Sequence, residues 1–335
     1  MSRPRPVVTV CLAAVALVVL VGLLVACGDS GPDGSGSGST GPPDKVSLQL
    51  NWFHEAEFVG YYLADAKGFY DESGLIVEIR EGGPDAPGGS AIHHVTEGTA
   101  DFAISSFGEQ RDALADKGPT IAVLSAFQIP PLVIFSLAES GVATPSDLAG
   151  KRVGVTTDYW KGVLEETLQA AGVDPSEVAQ VDTQAEDLQE LYDGEVDAWL
   201  GYAQDEPIHA EVAGHDVKAI FPADYGIGGY EGLLLVHERT LAEKADLVRR
   251  FVQASQRGWQ YAVEHPDEAA QVLLEWAPEP GLEFQQLAVR AVGPLVDVPQ
   301  WPIGWIDAER WRRLMGSSYD PDRPGYTMSF SASRP

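Results

Sequence analysis

The chain has 335 residues, with 50 Asp and Glu against 22 Lys and Arg and a formal net charge of −28, so it lacks the positive footprint that nucleic acid or an anionic membrane surface requires. Its two cysteines, Cys11 and Cys27, both lie near the N-terminus, which excludes disulfides, zinc–thiolate centres and a cysteine nucleophile from whatever folds beyond them. The acidity favours a neutral or cationic ligand over a free anion, and the length is enough for one or two conventional cores.

Arg3 and Arg5 open the chain, and residues 7–26 are then almost entirely Val, Leu and Ala, as in an export signal. A run this long could also cross a bilayer uncleaved. Leu24-Val25-Ala26-Cys27 resembles the bacterial lipobox, in which the chain is cut before the cysteine and the thiol takes a lipid. Residues 1–26 are therefore expected to be a removed signal peptide and Cys27 the lipidation site. Residues 27–44 contain Gly, Ser, Pro and Asp and no large apolar side chain, the composition of a flexible tether. Acyl chains on Cys27 would hold the protein outside the cytoplasm on the membrane surface.

From Lys45 onward, short apolar runs alternate with longer periodic ones, which predicts an α/β fold. VSLQLNW (46–52) reads as a strand, residues 57–74 as one helix closed by Gly74, and LIVEIREGG (75–83) as a strand. Residues 89–100 read as helix, DFAISS (101–106) as strand, 109–118 as helix and TIAVLSAF (120–127) as strand. The theme then repeats. KRVGVTT (151–157) and DAWLGY (197–202) read as strands, and 160–172, 185–195 and 206–215 as helices. LLLVHERT (233–240) returns as a strand before long helices over 244–276. Two extended segments, 131–137 and 232–236, set off the middle block. They suggest a domain 1 of 45–130 plus 237–335 and an inserted domain 2 of 131–236, joined by two crossings and closing by hinge motion.

Aromatic residues gather at the predicted strand ends: Trp52, Phe53, Tyr159, Trp160, Tyr202 and Tyr225. In open α/β sheets ligands bind beyond the carboxyl ends of the strands, where rings can sandwich a flat heterocycle. Glu206 opens a predicted helix. It is either a carboxylate that holds a ligand or a first-turn acid favoured by the helix dipole. His54 offers one hydrogen bond or a solvated ring. The adjacent His93 and His94 point apart on a helix and read as a solvated face. Ser106, preceded by Ser105, and Thr156, followed by Thr157, stand before helices as ligand contacts or as N-caps. No phosphate loop, His-Glu-x-x-His or serine elbow is present, so no catalytic residue, metal site or cofactor is assigned.

Four stretches carry a resemblance: NWFHEAEFVGYYLADAKGFYDESGLIVEIREGGPD (51–85), GYAQDEP (201–207), DYGI (224–227) and VRRFVQASQRGWQYAVEHPDEA (248–269). Together they resemble the pyrimidine-precursor binding proteins of bacterial thiamine uptake, a group related to the aliphatic sulfonate, nitrate and riboflavin binding proteins. Position 205 is Asp where that group tends to have Asn. The resemblance implies a type II periplasmic-binding-protein fold of two α/β domains joined by a two-crossing hinge. It implies a monomeric substrate-binding lipoprotein that serves the permease subunits of an ABC importer and is not an enzyme. The implied ligand is a small heteroaromatic, an aminopyrimidine or alternatively riboflavin. It would be met by Trp52, Phe53, His54, Ser106, Thr156, Trp160, Tyr202, Glu206 and Tyr225, with Glu206 on the amine edge. Thiamine pyrimidine synthases share the fold, but they are intracellular and carry a cysteine-rich iron motif that the folded part of this chain lacks.

Overall fold

A computed structural model describes residues 41–84, 86–183 and 188–331. The signal segment, Cys27 and most of the tether lie outside the described residues. Among those described, no helix is long and apolar enough to cross a membrane.

The chain builds one sheet, crosses to a second, and returns. The first part contributes β1 (Asp44–Gln49), α1 (Val59–Ala66), α2 (Phe69–Glu72), β2 (Leu75–Arg80), α3 (Ala91–Thr96), β3 (Phe102–Ser105), α4 (Phe107–Ala115) and β4 (Thr120–Phe127). The middle part contributes β5 (Leu132–Leu137), β6 (Arg152–Val155), α5 (Asp158–Ala170), β7 (Ala179–Asp182), α6 (Gln189–Tyr192), β8 (Ala198–Tyr202), α7 (Glu206–Val212) and β9 (Val217–Ile220). The chain then returns through β10 (Glu231–His237) to α8 (Glu238–Glu243), α9 (Ala245–Glu264), α10 (Pro266–Trp276), α11 (Leu282–Val296) and α12 (Ala308–Met315).

Each sheet has five strands, in the orders β2-β1-β3-β10-β4 and β7-β6-β8-β5-β9. In both, four strands run one way and one runs against them: β10 lies antiparallel between β3 and β4, and β5 between β8 and β9. The antiparallel strand is the one laid down just after a crossing. The carboxyl ends of β1 and β3, and of β6 and β8, therefore supply the loops from which both lobes can address a ligand.

Helix α9 anchors the first lobe. Its buried stripe includes Leu247, Val248, Phe251, Val252, Ser255 and Trp259, the recurrence that places side chains on one face. It meets α1 at backbone distance, because a Cβ on Gly258 would lie 2.1 Å from the Gly60 carbonyl oxygen. Below it, Phe251 stacks on Tyr70 at 5.3 Å and on Phe102 at 4.1 Å between ring centres. The largest apolar core runs on from this lobe to the second sheet through Val133, Phe135, Trp199 and Ile208, with Phe284 of α11 among its members.

Several expectations are revised. The helix expected over 57–74 is broken at Gly68, whose φ of 72° is left-handed, so α1 and α2 are separate. Strands β7 and β9 went unforeseen. They are short edge strands with mostly exposed or half-buried side chains, and such segments lack the apolar alternation that marks a strand. The segments 131–137 and 232–236, taken as crossings, are mostly strand: residues 132–137 form β5, and 232–236 lie within β10. The chain passes between sheets at residues 128–131 and 226–230 instead. An apolar run buried on both faces looks the same in sequence whether it joins two domains or belongs to one.

Candidate functional site

The second lobe presents an aromatic wall. Strand β8 ends at Tyr202, and α5 starts beyond β6 with Thr157 accepting a hydrogen bond from the Trp160 amide at 3.4 Å. Capping at that position turns Tyr159 and Trp160 toward the strand ends. The Trp160 ring meets Tyr202 edge-on at 5.2 Å and Tyr159 at 5.4 Å. Trp160 is buried while Tyr159 is 52% exposed, so the wall has a packed base and an open lip.

Glu206 stands behind that wall. Its Oε2 accepts the Tyr202 backbone N–H at 2.7 Å. The carboxylate lies against Gly201, where a Cβ would come within 2.4 Å of Oε2. Any other residue at 201 would displace it. Burial, with the Asp205 charge added, pushes the Glu206 pKa up to about 8, against the pull of the Tyr202 amide.

The first lobe answers with carboxyl groups that sequence reasoning missed. Glu55 and Glu57 flank Ala56 at the short 3-10 turn Ala56–Phe58 after β1, close enough for each to act on the other's titration. Burial pushes Glu57 up to about 7; Glu55 opposes that shift and Glu109 adds to it. Glu55 is raised well above the usual range, first by burial and then by Glu57, Asp205 and Glu206. Glu231, at the start of β10, is raised by burial and by the charges of Glu57 and Glu109. Tyr202 feels Glu231, Glu57, Tyr159 and Glu206, so these groups surround one space. A cleft of about 600 Å³ adjoins these groups, lined among others by Ser106, Glu109, Tyr159, Gly228 and Glu231; Tyr202, Glu206, Glu55 and Glu57 stand beside it rather than in its lining.

Positive charge is scarce at this cleft. His209 pairs with Asp205 at 3.3 Å and Arg111 with Asp112 at 3.0 Å. Among the described residues no group of His, Cys, Asp and Glu is arranged to hold a metal ion. The arrangement suits a flat ring that brings hydrogen-bond donors or positive charge to carboxyl oxygens.

The other expected residues divide. Trp52 and Phe53 pack edge-on at 5.3 Å on the first lobe, and they are 43% and 45% exposed. His54 is held by partners within the first lobe. Its Nδ1 bonds the Tyr62 hydroxyl at 2.8 Å and its ring lies 5.0 Å from Trp276, while burial lowers its pKa and Glu81 only partly offsets this. Ser106 is the N-cap of α4 in a reciprocal capping box with Glu109, although it also lines the cleft. Thr156 stands one residue before the α5 cap, and no bond ties it to the wall. Tyr225, half-buried, packs against the same core of the second lobe as Trp160 and Tyr202. His93 and His94 sit on α3, where His94 bonds Thr99 and the Pro87 carbonyl within the first lobe.

Known proteins share this architecture and sequence. The chain is 28% identical to the formylaminopyrimidine-binding protein of Halalkalibacterium halodurans over 81% of this chain and 84% of that one. It is 25% identical to the riboflavin-binding protein RibY of Chloroflexus aurantiacus over 88% of each. It is 26% identical to a 4-amino-5-hydroxymethyl-2-methylpyrimidine phosphate synthase of Legionella pneumophila over 70% of this chain and 74% of that one. The periplasmic aliphatic sulphonate binding protein SsuA of Escherichia coli superposes with a TM-score of 0.63 at 15% identity, covering 82% of this chain and 85% of that one. The fold is thus that of the periplasmic binding proteins. The model of one family, NMT1/THI5 like, matches residues 55–269. The chain belongs to the NMT1/THI5-like family.

Proposed function

We propose that this chain is the extracytoplasmic binding component of an ABC importer, held at the membrane by a lipid on Cys27, and that it carries a planar aminopyrimidine between its lobes to the permease subunits. The observation that carries the reading is Glu206. One of its oxygens is anchored by the Tyr202 amide at 2.7 Å, and the half-buried carboxyl follows directly from the strand end that carries Tyr202, whose ring meets Trp160. A buried carboxyl is costly unless paired. In the ligand-free chain the pKa of Glu206 is raised to about 8; an amine beside a protonated ring nitrogen brings positive charge that lowers it again, so the group binds as a carboxylate whose two oxygens accept two N–H donors. The rings supply affinity to any flat ligand, at roughly 0.5–1.5 kcal/mol per stacked pair, while Glu206 selects the edge. The formylaminopyrimidine-binding relative supports this choice.

Riboflavin is the second reading, favoured by the RibY relative over 88% of the chain. Its edge sets carbonyl acceptors beside one imide N–H and fits a carboxylate less well. Catalysis is set aside in favour of binding, since the formylaminopyrimidine- and riboflavin-binding relatives match 81% and 88% of the chain, against 70% for the synthase relative.

Titration calorimetry on the wild type and Glu206→Gln, with an aminopyrimidine and with riboflavin, tests the assignment. The substitution turns one acceptor into a donor, so the pyrimidine should lose about 1.5–3 kcal/mol, the worth of a charge-assisted hydrogen bond. Riboflavin should lose less. If both proteins bind the pyrimidine equally, Glu206 is only a helix-start residue. If riboflavin alone binds, the ligand is a flavin.

A further inference from the structure

Both connections between the sheets converge on one side chain far along the chain. Arg310, on α12, donates from Nη1 to the Gln128 carbonyl at 2.6 Å and from Nη2 to the Gly229 carbonyl at 3.1 Å. The first acceptor lies in the outgoing connection, 128–131, and the second in the returning one, 226–230. The guanidinium also lies over the Tyr230 ring at 4.2 Å, and the Tyr230 hydroxyl accepts the Asp307 amide at 2.8 Å. Asp307 in turn caps α12 by accepting the Arg310 amide at 2.7 Å. Burial lowers the pKa of Arg310, and none of the ion pairs found among the described residues includes it, although acids outnumber bases more than twofold in this chain. Its donors go to backbone carbonyls instead of to a carboxylate.

The surroundings fit a hinge. The returning connection contains Gly226 and Gly228 at φ of 80° and 99°, left-handed conformations that glycine adopts at no steric cost. The outgoing one is held from the same side, because the Gln128 and Ile129 amides both donate to the Leu295 carbonyl and the Gln128 side chain donates to the Trp305 carbonyl. A cavity of about 300 Å³, lined by residues of both connections together with Arg310, Arg313 and Leu314, lies alongside. Gly226, Ile227 and Gly228 line this cavity and the ligand cleft alike. The returning connection is therefore the partition between the cleft and Arg310.

We propose that Arg310 is a positioning residue, a clasp that fixes the two interlobe connections against each other and so sets the balance between open and closed lobes, without touching the ligand. The planar fork of a guanidinium can reach two carbonyls and stack on Tyr230 at once; a lysine ammonium cannot. A rotation of the lobes must shift residues 128–131 relative to 226–230, so it must stretch or remake these bonds. Ligand affinity then depends on a residue outside the cleft, because affinity falls with the population of the binding-competent state.

The link to affinity rests on the proposed ligand cleft, and the clasp itself can be tested without a ligand. Hydrogen–deuterium exchange on the full chain compares wild type, Arg310→Met, Arg310→Lys and, as a neighbouring control, Arg313→Met. Arg310→Met and Arg310→Lys should speed exchange at least tenfold in both connections, while β1 and β3 keep wild-type protection and Arg313→Met changes nothing there. Calorimetry with the aminopyrimidine should show at least a fivefold change in affinity for Arg310→Met that Arg310→Lys does not restore. Exchange raised equally throughout the chain, exchange changed in only one connection, or full rescue by lysine would overturn the clasp. Unchanged affinity with both connections loosened would overturn its role in setting closure. Failure of the wild type to bind any pyrimidine would instead defeat the functional reading and leave the exchange result standing.

Discussion

Glu57, pushed up to about 7, and Glu206, pushed up to about 8, hold protons at a pH where a glutamate at its usual 4.5 does not. A carboxyl with a raised folded-state pKa binds more protons folded than unfolded between the two values. Its contribution to stability is therefore full below about 4.5, declines as the pH rises toward 7 for Glu57 and 8 for Glu206, and is lost above. Thermal melts of the ligand-free chain should fall by several degrees between about pH 5.5 and pH 8. Glu57→Gln should shrink that fall relative to wild type, a comparison that separates the cleft from the general repulsion of an acidic chain. An identical pH profile in the variant would show that Glu57 is solvated. The sequence placed Glu206 at a helix start after an apolar strand, and the family resemblance alone favoured a ligand role for it over that of a first-turn acid. Glu57 and Glu231 were not legible, since burial of an acid comes from the opposing lobe, and HEAEF reads on its own as a polar helix face.

Elements are fixed most tightly where backbones touch. Helices α1 and α9 cross through Gly60 and Gly258, and a Cβ on Gly258 would lie 2.1 Å from the Gly60 oxygen and 2.7 Å from Ala64. Alanine is the better helix former by about 1 kcal/mol, but overpacking costs about 1–3 kcal/mol and sometimes more. Backbone atoms yield less readily than a side-chain tip, so Gly258→Ala should be net destabilising by about 1–3 kcal/mol in urea melts. Unchanged or higher stability would mean that the helices can part freely. The apolar stripe of α9 was readable from its period. The close approach was not, because a glycine within a helix looks merely permissive until its neighbour is known. The break at Gly68 and the edge strands β7 and β9 escaped for related reasons: a single left-handed glycine, or four residues at a sheet margin, leave almost no periodic trace.

The whole molecule repeats one plan twice, four strands running one way and one against them, and the alternation of runs made both halves visible in the sequence. The crossings were misplaced because an apolar segment buried on both faces carries no sign of which sheet it joins. What the two halves assemble could be seen only in three dimensions: an aromatic wall with Glu206 from one lobe, facing Glu55, Glu57, Glu109 and Glu231 from the other. The account rests on that cleft choosing a ring by its donor edge. Calorimetric titration of the chain with an aminopyrimidine, and with the same ring carrying an oxo group in place of the amine, tests this most directly. Above about pH 8, where Glu206 is ionised, the amine form should bind and the oxo form should bind at least about a hundredfold more weakly, because a carboxylate would then face a carbonyl oxygen. Equal affinity for the two rings, or a preference for the oxo form, would contradict the account.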